Sequence, residues 1–325
     1  MDAIIAALDH LEIGMPITAA NLTMYPLLMA EESAPGYLTL DEALAAGLAS
    51  VTEVSEAGSV PELLVKNLAK MPVLILDGEE LVGAKQNRIV NLTILVAAEQ
   101  TLHIPVSCVE AGRWLRRSRE FASAGRAHYA SGRARKLEQV SFAMRATGSR
   151  MADQGAVWQD IDEKAQRLRT ESPTSAAAAM YDGNRVRLDE FMEKLEATPR
   201  QAGAVFTING VVAGVDMFDS PATWRKSMHK LVQSYGLDAL DRAEARGHAG
   251  VSECGSNAEP QPKRFLSTLR KATRERFPAI GLGEDVRISG STIAGGGLVV
   301  DGKVIHLVAF PGSKHGKRRS IHETE

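Results

Sequence analysis

Residues 79–91, EELVGAKQNRIVN, set Glu79, Glu80, Lys85, Gln86, Asn87, Arg88 and Asn91 between two apolar runs, MPVLIL and LTILVA. Glu79 and Glu80 are candidate general bases or metal ligands, because a carboxylate can serve as either. Lys85 and Arg88 could hold an anion, Arg88 through its planar fork of donors. Gln86 and Asn87 could orient a ligand's polar groups. A solvated hairpin with ordinary surface ion pairs would also explain the charges, and such pairs contribute little. The amides beside the charges point instead to a hydrogen-bond network with defined partners. If residues 79–85 form a strand, Glu79 and Lys85 share one face while Glu80 and Ala84 share the other.

A second group follows in IPVSCVEAGRWLRRS, residues 104–118. IPVSCV reads as a strand, with Glu110, Gly112, Arg113 and Trp114 at its exit. Glycine allows a positive φ or a close approach, arginine can grip phosphate or carboxylate, and tryptophan offers a stacking face. Arg116 and Arg117 extend the positive charge. They open a run, 113–150, with ten Arg or Lys against Glu120 and Glu138. A net +8 here leaves −10 for the rest, so acidic helices at 153–196 could compensate it. Exposed, the run would attract a phosphorylated metabolite, a nucleic acid or an acidic protein. A third group, GLGEDVRISG at 281–290, offers Glu284 and Asp285 as candidate ligands for a divalent metal such as Mg²⁺. GLVVDGK (297–303) imitates a phosphate loop, but Val304 stands where Ser or Thr is needed, and the segment alternates like a hairpin. No HExxH or GxSxG occurs.

The elements that must position these residues are legible from period and punctuation. VLILDGEELVGA (73–84), AVFTINGVVAGVD (204–216) and GGLVVDGKVIHLVAF (296–310) share one plan, a strand, Asp-Gly or Asn-Gly, and a second strand. Those dipeptides favour two-residue hairpin turns. Helical spacing appears over 157–196, with Val186, Phe191, Met192 and Leu195 as its apolar face, and again in SPATWRKSMHKLVQSYGLDALDRAEA and PKRFLSTLRKATRERF. Ser220 is the expected N-cap and Pro221 the first helical residue. Residues 113–136 predict an irregular cationic excursion ahead of a helix. The expectation is an α+β protein, an antiparallel hairpin-built sheet system with a helical covering layer. It occupies 1–312 as one domain, followed by a basic disordered tail at 313–325.

Composition narrows the class. At 44% hydrophobic and 24% charged the chain reads as globular. It contains no apolar run of the ~18 residues that would span a bilayer. Asp2, Asp9 and His10 are foreign to an export signal, so a cytoplasmic location and no membrane partner are expected. Cys108 and Cys254 have no CxxC companion, which excludes a cysteine zinc cluster.

DGEELVGAKQNRIVN followed by IPVSCVEAGRW resembles the core of the ARG-and-rhodanese-phosphatase-superfamily-associated protein domain. GAVFTINGVVAGVDMFDSPATWRK and GLGEDVRISG with GLVVDGKVIHL extend the likeness over about residues 10–310. The family name implies a role near ADP-ribose or another nucleotide-derived phosphate, and it carries no catalytic residues over. The expected function is therefore binding, with processing left open, of a phosphate-bearing nucleotide derivative. The alternative is a non-enzymatic module whose 113–150 segment docks an acidic protein or nucleic acid. The two carboxylates, Glu79 and Glu80, would act on the ligand, and Lys85, Gln86, Asn87, Arg88, Glu110, Arg113, Trp114, Arg116 and Arg117 would bind it.

Overall fold

Asn209 and Gly210 take φ of 53° and 75°, and Asp301 and Gly302 take 49° and 76°. Each pair closes a two-residue hairpin, as its residue types favour. One hairpin joins Gln201–Ile208 to Val211–Phe218, the other Ile293–Val300 to Lys303–Pro311. Val211–Phe218 and Lys303–Pro311 are themselves antiparallel neighbours. These four strands form the middle of a nine-stranded sheet. Leu22–Leu28, with Glu12–Ile13 and Ile17–Ala19 beside it, extends one side, and Glu284–Ser289 and Thr273–Pro278 extend the other. The structure is a computed structural model, and it describes residues 2–55, 58–115, 117–246 and 261–312. Cys254, Arg116 and the tail expected at 313–325 lie outside the described residues.

The third expected hairpin does not form. Val73–Ile75 pairs with Ile94–Val96 and Leu38–Thr39 in a three-stranded sheet, while Glu79–Gly83 enters a different, six-stranded one. Asp77-Gly78 is the crossing between the two. Gly78 has the positive φ (78°) that a turn needs, but Asp77 is buried among cations instead of exposed at a turn. The hairpin that does form here joins Glu79–Gly83 to Arg88–Val90 around residues 84–87.

That six-stranded sheet runs Phe121–Ala127, Glu79–Gly83, Arg88–Val90, Thr101–Cys108, Glu62–Asn67, Ala49–Glu53, each strand antiparallel to the next. Thr52, on one flanking strand, bridges Glu120, next to the other. The sheet therefore nearly closes into a small barrel. Side chains alternate across a strand, so register decides what faces inward. Val51, Leu63, Val65, Leu81, Val90, Ile104, Val106 and Phe121 fill one buried core. Glu53, Arg88 and Cys108 stand two positions from members of that set, on the same face.

Helix Pro221–Arg246 packs on Gln201–Ile208 and on Phe121–Ala127, linking the large sheet to the barrel. Ser220 accepts the Ala222 amide at 3.1 Å, the capping role its type predicts. Gln154–Arg167 and Arg185–Lys194 supply further covering helices, so the α+β expectation holds. Several local expectations are corrected. The irregular excursion expected over 113–136 is confined to the described residues ahead of Phe121: Phe121–Ala127 is a strand and Ala130–Thr147 a helix. Val186 is exposed while Phe191 and Leu195 are buried, because at 3.6 residues per turn its spacing from Phe191 and Leu195 puts it on the opposite side of helix Arg185–Lys194. TRERFP is a strand, and GLGEDVRISG enters strand Glu284–Ser289 instead of forming an acidic loop.

Candidate functional site

The sequence-chosen carboxylates separate. Glu79 is buried, with its carboxylate on Lys230 and on the Leu76 amide (3.0 Å), and Lys230 also holds Asp41 at 2.7 Å. Glu80 faces the other side of the strand, 2.7 Å from the Arg126 Nε and 3.4 Å from the Asn87 side-chain amide. Glu110 and Arg113, expected to bind a ligand, bind each other at 2.7 Å. Glu110 also takes the Asn87 amide (3.1 Å) and the Thr174 hydroxyl (2.9 Å), while Arg113 donates to the Ala84 and Leu115 carbonyls at 2.9 and 3.0 Å. Burial would raise the Glu110 carboxyl, but the Arg113 guanidinium and these donors hold it below the usual carboxylate range. The pair clamps the 84–87 turn to residues 110–115. Gly112 serves the same clamp: a Cβ there would lie 2.9 Å from the Thr174 backbone.

Glu284 and Asp285 also fail to meet. They are consecutive strand residues, so one is exposed beside Arg276 (2.6 Å) and the other is buried against Arg287. Among the described residues no group of three or more His, Cys, Asp or Glu side chains converges as metal ligands. Most of the described 113–150 cations have partners within the chain. Arg126 pairs with Glu80 and Asp182, Arg135 with Asp160, Arg145 with Glu275, and Arg150 donates to the Pro278 carbonyl at 2.5 Å. The compensation expected from 153–196 is present at Asp160 and Asp182. Arg117 is exposed.

Helix Ala130–Thr147 turns its remaining cations into the junction between the two sheets. Arg133 is fully buried and reaches Asp216 at 2.6 Å and Asp77 at 3.2 Å. Lys136 binds Asp77 and donates to the Val90 and Asn91 carbonyls at 2.9 and 2.8 Å. Tyr235 donates to Asp216 at 2.7 Å, and His306 bridges Asp216 (3.2 Å) to Thr93 (2.8 Å). Burial would raise Asp77 and Asp216, but Lys136 and Arg133 hold Asp77, and Arg133 and His306 hold Asp216, below the usual range. A network this complete locks the sheets together. The sequence concealed it, because Asp77 lies in a crossing between strands and Asp216 and His306 in two strands far from it in the chain.

The barrel mouth is different. Arg88 is 0% exposed, yet it forms no ion pair among the described residues. Its Nη1 donates to Gln86 Oε1 at 2.9 Å, while Nε and Nη2 meet no oxygen acceptor and only the weakly accepting Cys108 thiol stands beside them. Glu53, 8% exposed, leaves Oε2 without a partner as well, and its Oε1 takes the Lys85 amide at 3.4 Å. Lys85 and Arg88 both lie over the Trp114 ring, at 5.1 and 5.9 Å from its centroid. Glu53 Oε2 and Lys85 Nζ flank the same spot, each 3.4 Å from where a Gly58 Cβ would stand. Trp114 is half exposed above them. Burial lowers the proton affinity of Arg88, and Cys108 and Glu53 offset this only in part. For Arg126 and Arg133 burial acts the same way, but carboxylates outweigh it and the shift is upward. Arg88 is thus a buried cation whose counter-charge is incomplete. The sequence named Lys85, Gln86, Arg88 and Trp114 but missed Glu53, whose only signal is its place at the end of the alternating strand ASVTE.

The chain belongs to the ARG and Rhodanese-Phosphatase-superfamily-associated Protein domain family, whose model matches residues 10–310. No curated protein and no solved structure matches it. Among the described residues no helix is long and apolar enough to cross a membrane.

Proposed function

We propose that the chain binds a phosphate-bearing nucleotide derivative, such as ADP-ribose, at the mouth of the six-stranded barrel. One observation carries this reading: buried Arg88 has no carboxylate or carbonyl acceptor on Nε and Nη2, and the Cys108 thiol beside it is only a weak acceptor. Those two donors are the parallel pair that grips two oxygens of one phosphate. Leaving them unmade costs stability, about 1–3 kcal/mol for a buried polar group and more for a charged one, so an acceptor is to be expected. Lys85 adds positive charge, and the half-exposed Trp114 offers its face to a base. Small barrels and their mouths are common places for a single ligand. The family name's reference to ARG and rhodanese-phosphatase proteins agrees with a phosphorylated ligand. Glu79 and Glu80 are held by Lys230 and Arg126, so the proposal is one of binding and gives neither a catalytic step.

A thermal-shift panel tests it. Pyrophosphate, ADP and ADP-ribose, each with and without Mg²⁺, should raise Tm by several degrees, since ligand at 100 times its Kd stabilises a fold by about 2.7 kcal/mol. Adenosine, which lacks the anion, should give a much smaller shift. If no phosphorylated compound moves Tm at millimolar concentration, the reading fails.

A further inference from the structure

Glu53 gives the barrel mouth a second kind of unmet demand. Arg88 offers donors without oxygen acceptors, whereas Glu53 Oε2 is a buried acceptor without a donor. The dianion of a phosphate monoester cannot satisfy both, because above its second pKa of about 6 all its free oxygens are acceptors. The acid also stands close to where that anion would sit, next to Lys85 Nζ and within electrostatic reach of Arg88. A carboxylate there repels a bare oxyanion, so its presence has to be recovered from another part of the ligand. The group that does this is a hydroxyl, which donates a hydrogen bond to Glu53 while the phosphate beside it accepts from Arg88.

We infer that Glu53 is a specificity-determining residue, which reads a sugar hydroxyl and makes the site selective for sugar phosphates over simple phosphates. This rests on the reading that Arg88 holds the phosphate. A charged acceptor paired with a hydroxyl discriminates strongly, because an analogue without the hydroxyl leaves the buried carboxylate unpaired. In Glu53→Gln the repulsion disappears along with the charge. The two effects should then move in opposite directions for the two ligand types.

Titration calorimetry of the full chain at pH 8 with methyl phosphate, pyrophosphate and ribose 5-phosphate decides it. The parent should bind ribose 5-phosphate at least tenfold more tightly than methyl phosphate, whose dianion carries no donor. Glu53→Gln should bind methyl phosphate as well as the parent or better, and should lose most of the tenfold preference. A melting curve establishes that each variant is folded, and Glu53→Ala provides a second variant. If a folded variant keeps the full preference, the inference is overturned while the phosphate site stands. If the parent binds neither pyrophosphate nor ribose 5-phosphate, the phosphate site itself is overturned, and this inference falls with it.

Discussion

Arg88 and Arg133 are both fully buried guanidinium groups, and their surroundings give them opposite tasks. Arg133 is met on two sides by Asp216 and Asp77, as a structural cation must be. Arg88 has one amide oxygen and two donors that meet no other oxygen. The difference is invisible in the sequence, where each is an arginine amid polar neighbours. The same dense cationic interior acts on His128. Burial, together with Lys136, Arg135, Lys164 and Arg133, pushes this histidine well below its ordinary range. The unfolded chain takes up that proton near pH 6.5 and the folded chain does not, so the unfolded state binds more protons below that pH. Stability therefore falls as the pH drops below about 6.5, by up to ~1.4 kcal/mol per unit for one histidine. His229, lowered by burial and by Lys230, adds to the same trend. Denaturant melts between pH 5 and 7 should give this slope, and in His128→Gln it should be visibly shallower. A slope unchanged by the substitution would mean that His128 takes up its proton in the folded state.

At the scale of the element, two dipeptides that look alike in the sequence do different work. Asn209-Gly210 closes a hairpin at the surface, where a Cβ on Gly210 would meet nothing within 4 Å. Asp77-Gly78 sits at the junction of two sheets, and a Cβ on Gly78 would lie 2.9 Å from Cγ and Cδ of Arg133. Both glycines have positive φ, so alanine strains either one by roughly 1 kcal/mol. Only Gly78→Ala must also displace Arg133 from Asp77 and Asp216, and disrupting such a buried pair costs ~3–5 kcal/mol. Chemical denaturation should therefore rank Gly78→Ala well below Gly210→Ala. Equal losses would deny the junction its role. The turn residues thus told where the chain reverses, and two of three expected hairpins are correct for that reason. They could not tell what the reversal packs against, because that depends on a helix and a strand far along the chain, which bring Arg133 and Asp216 to it. Arg88, Lys85 and Trp114 were legible as a polar group between apolar strands, and Glu53 was not, because only closure of the barrel brings it to them.

Across the whole molecule, Leu22–Leu28 pairs directly with Gln201–Ile208. Residues 29–200, including the barrel, are therefore inserted between two neighbouring strands of the large sheet. The inserted part is bound back by helix Pro221–Arg246 and by the charge network at the junction. The molecule thus separates two uses of buried charge: a satisfied network that holds its sheets together, and an unsatisfied cation at the barrel mouth. The most direct test of that division is the unfolding free energy of Arg88→Met without ligand, measured beside its thermal shift with pyrophosphate. If Arg88 serves the ligand, removing its poorly paired charge should cost the free protein no more than ~1 kcal/mol, or even stabilise it, while the pyrophosphate shift disappears. A loss of ~3–5 kcal/mol in the free protein, or a retained pyrophosphate shift, would contradict the account.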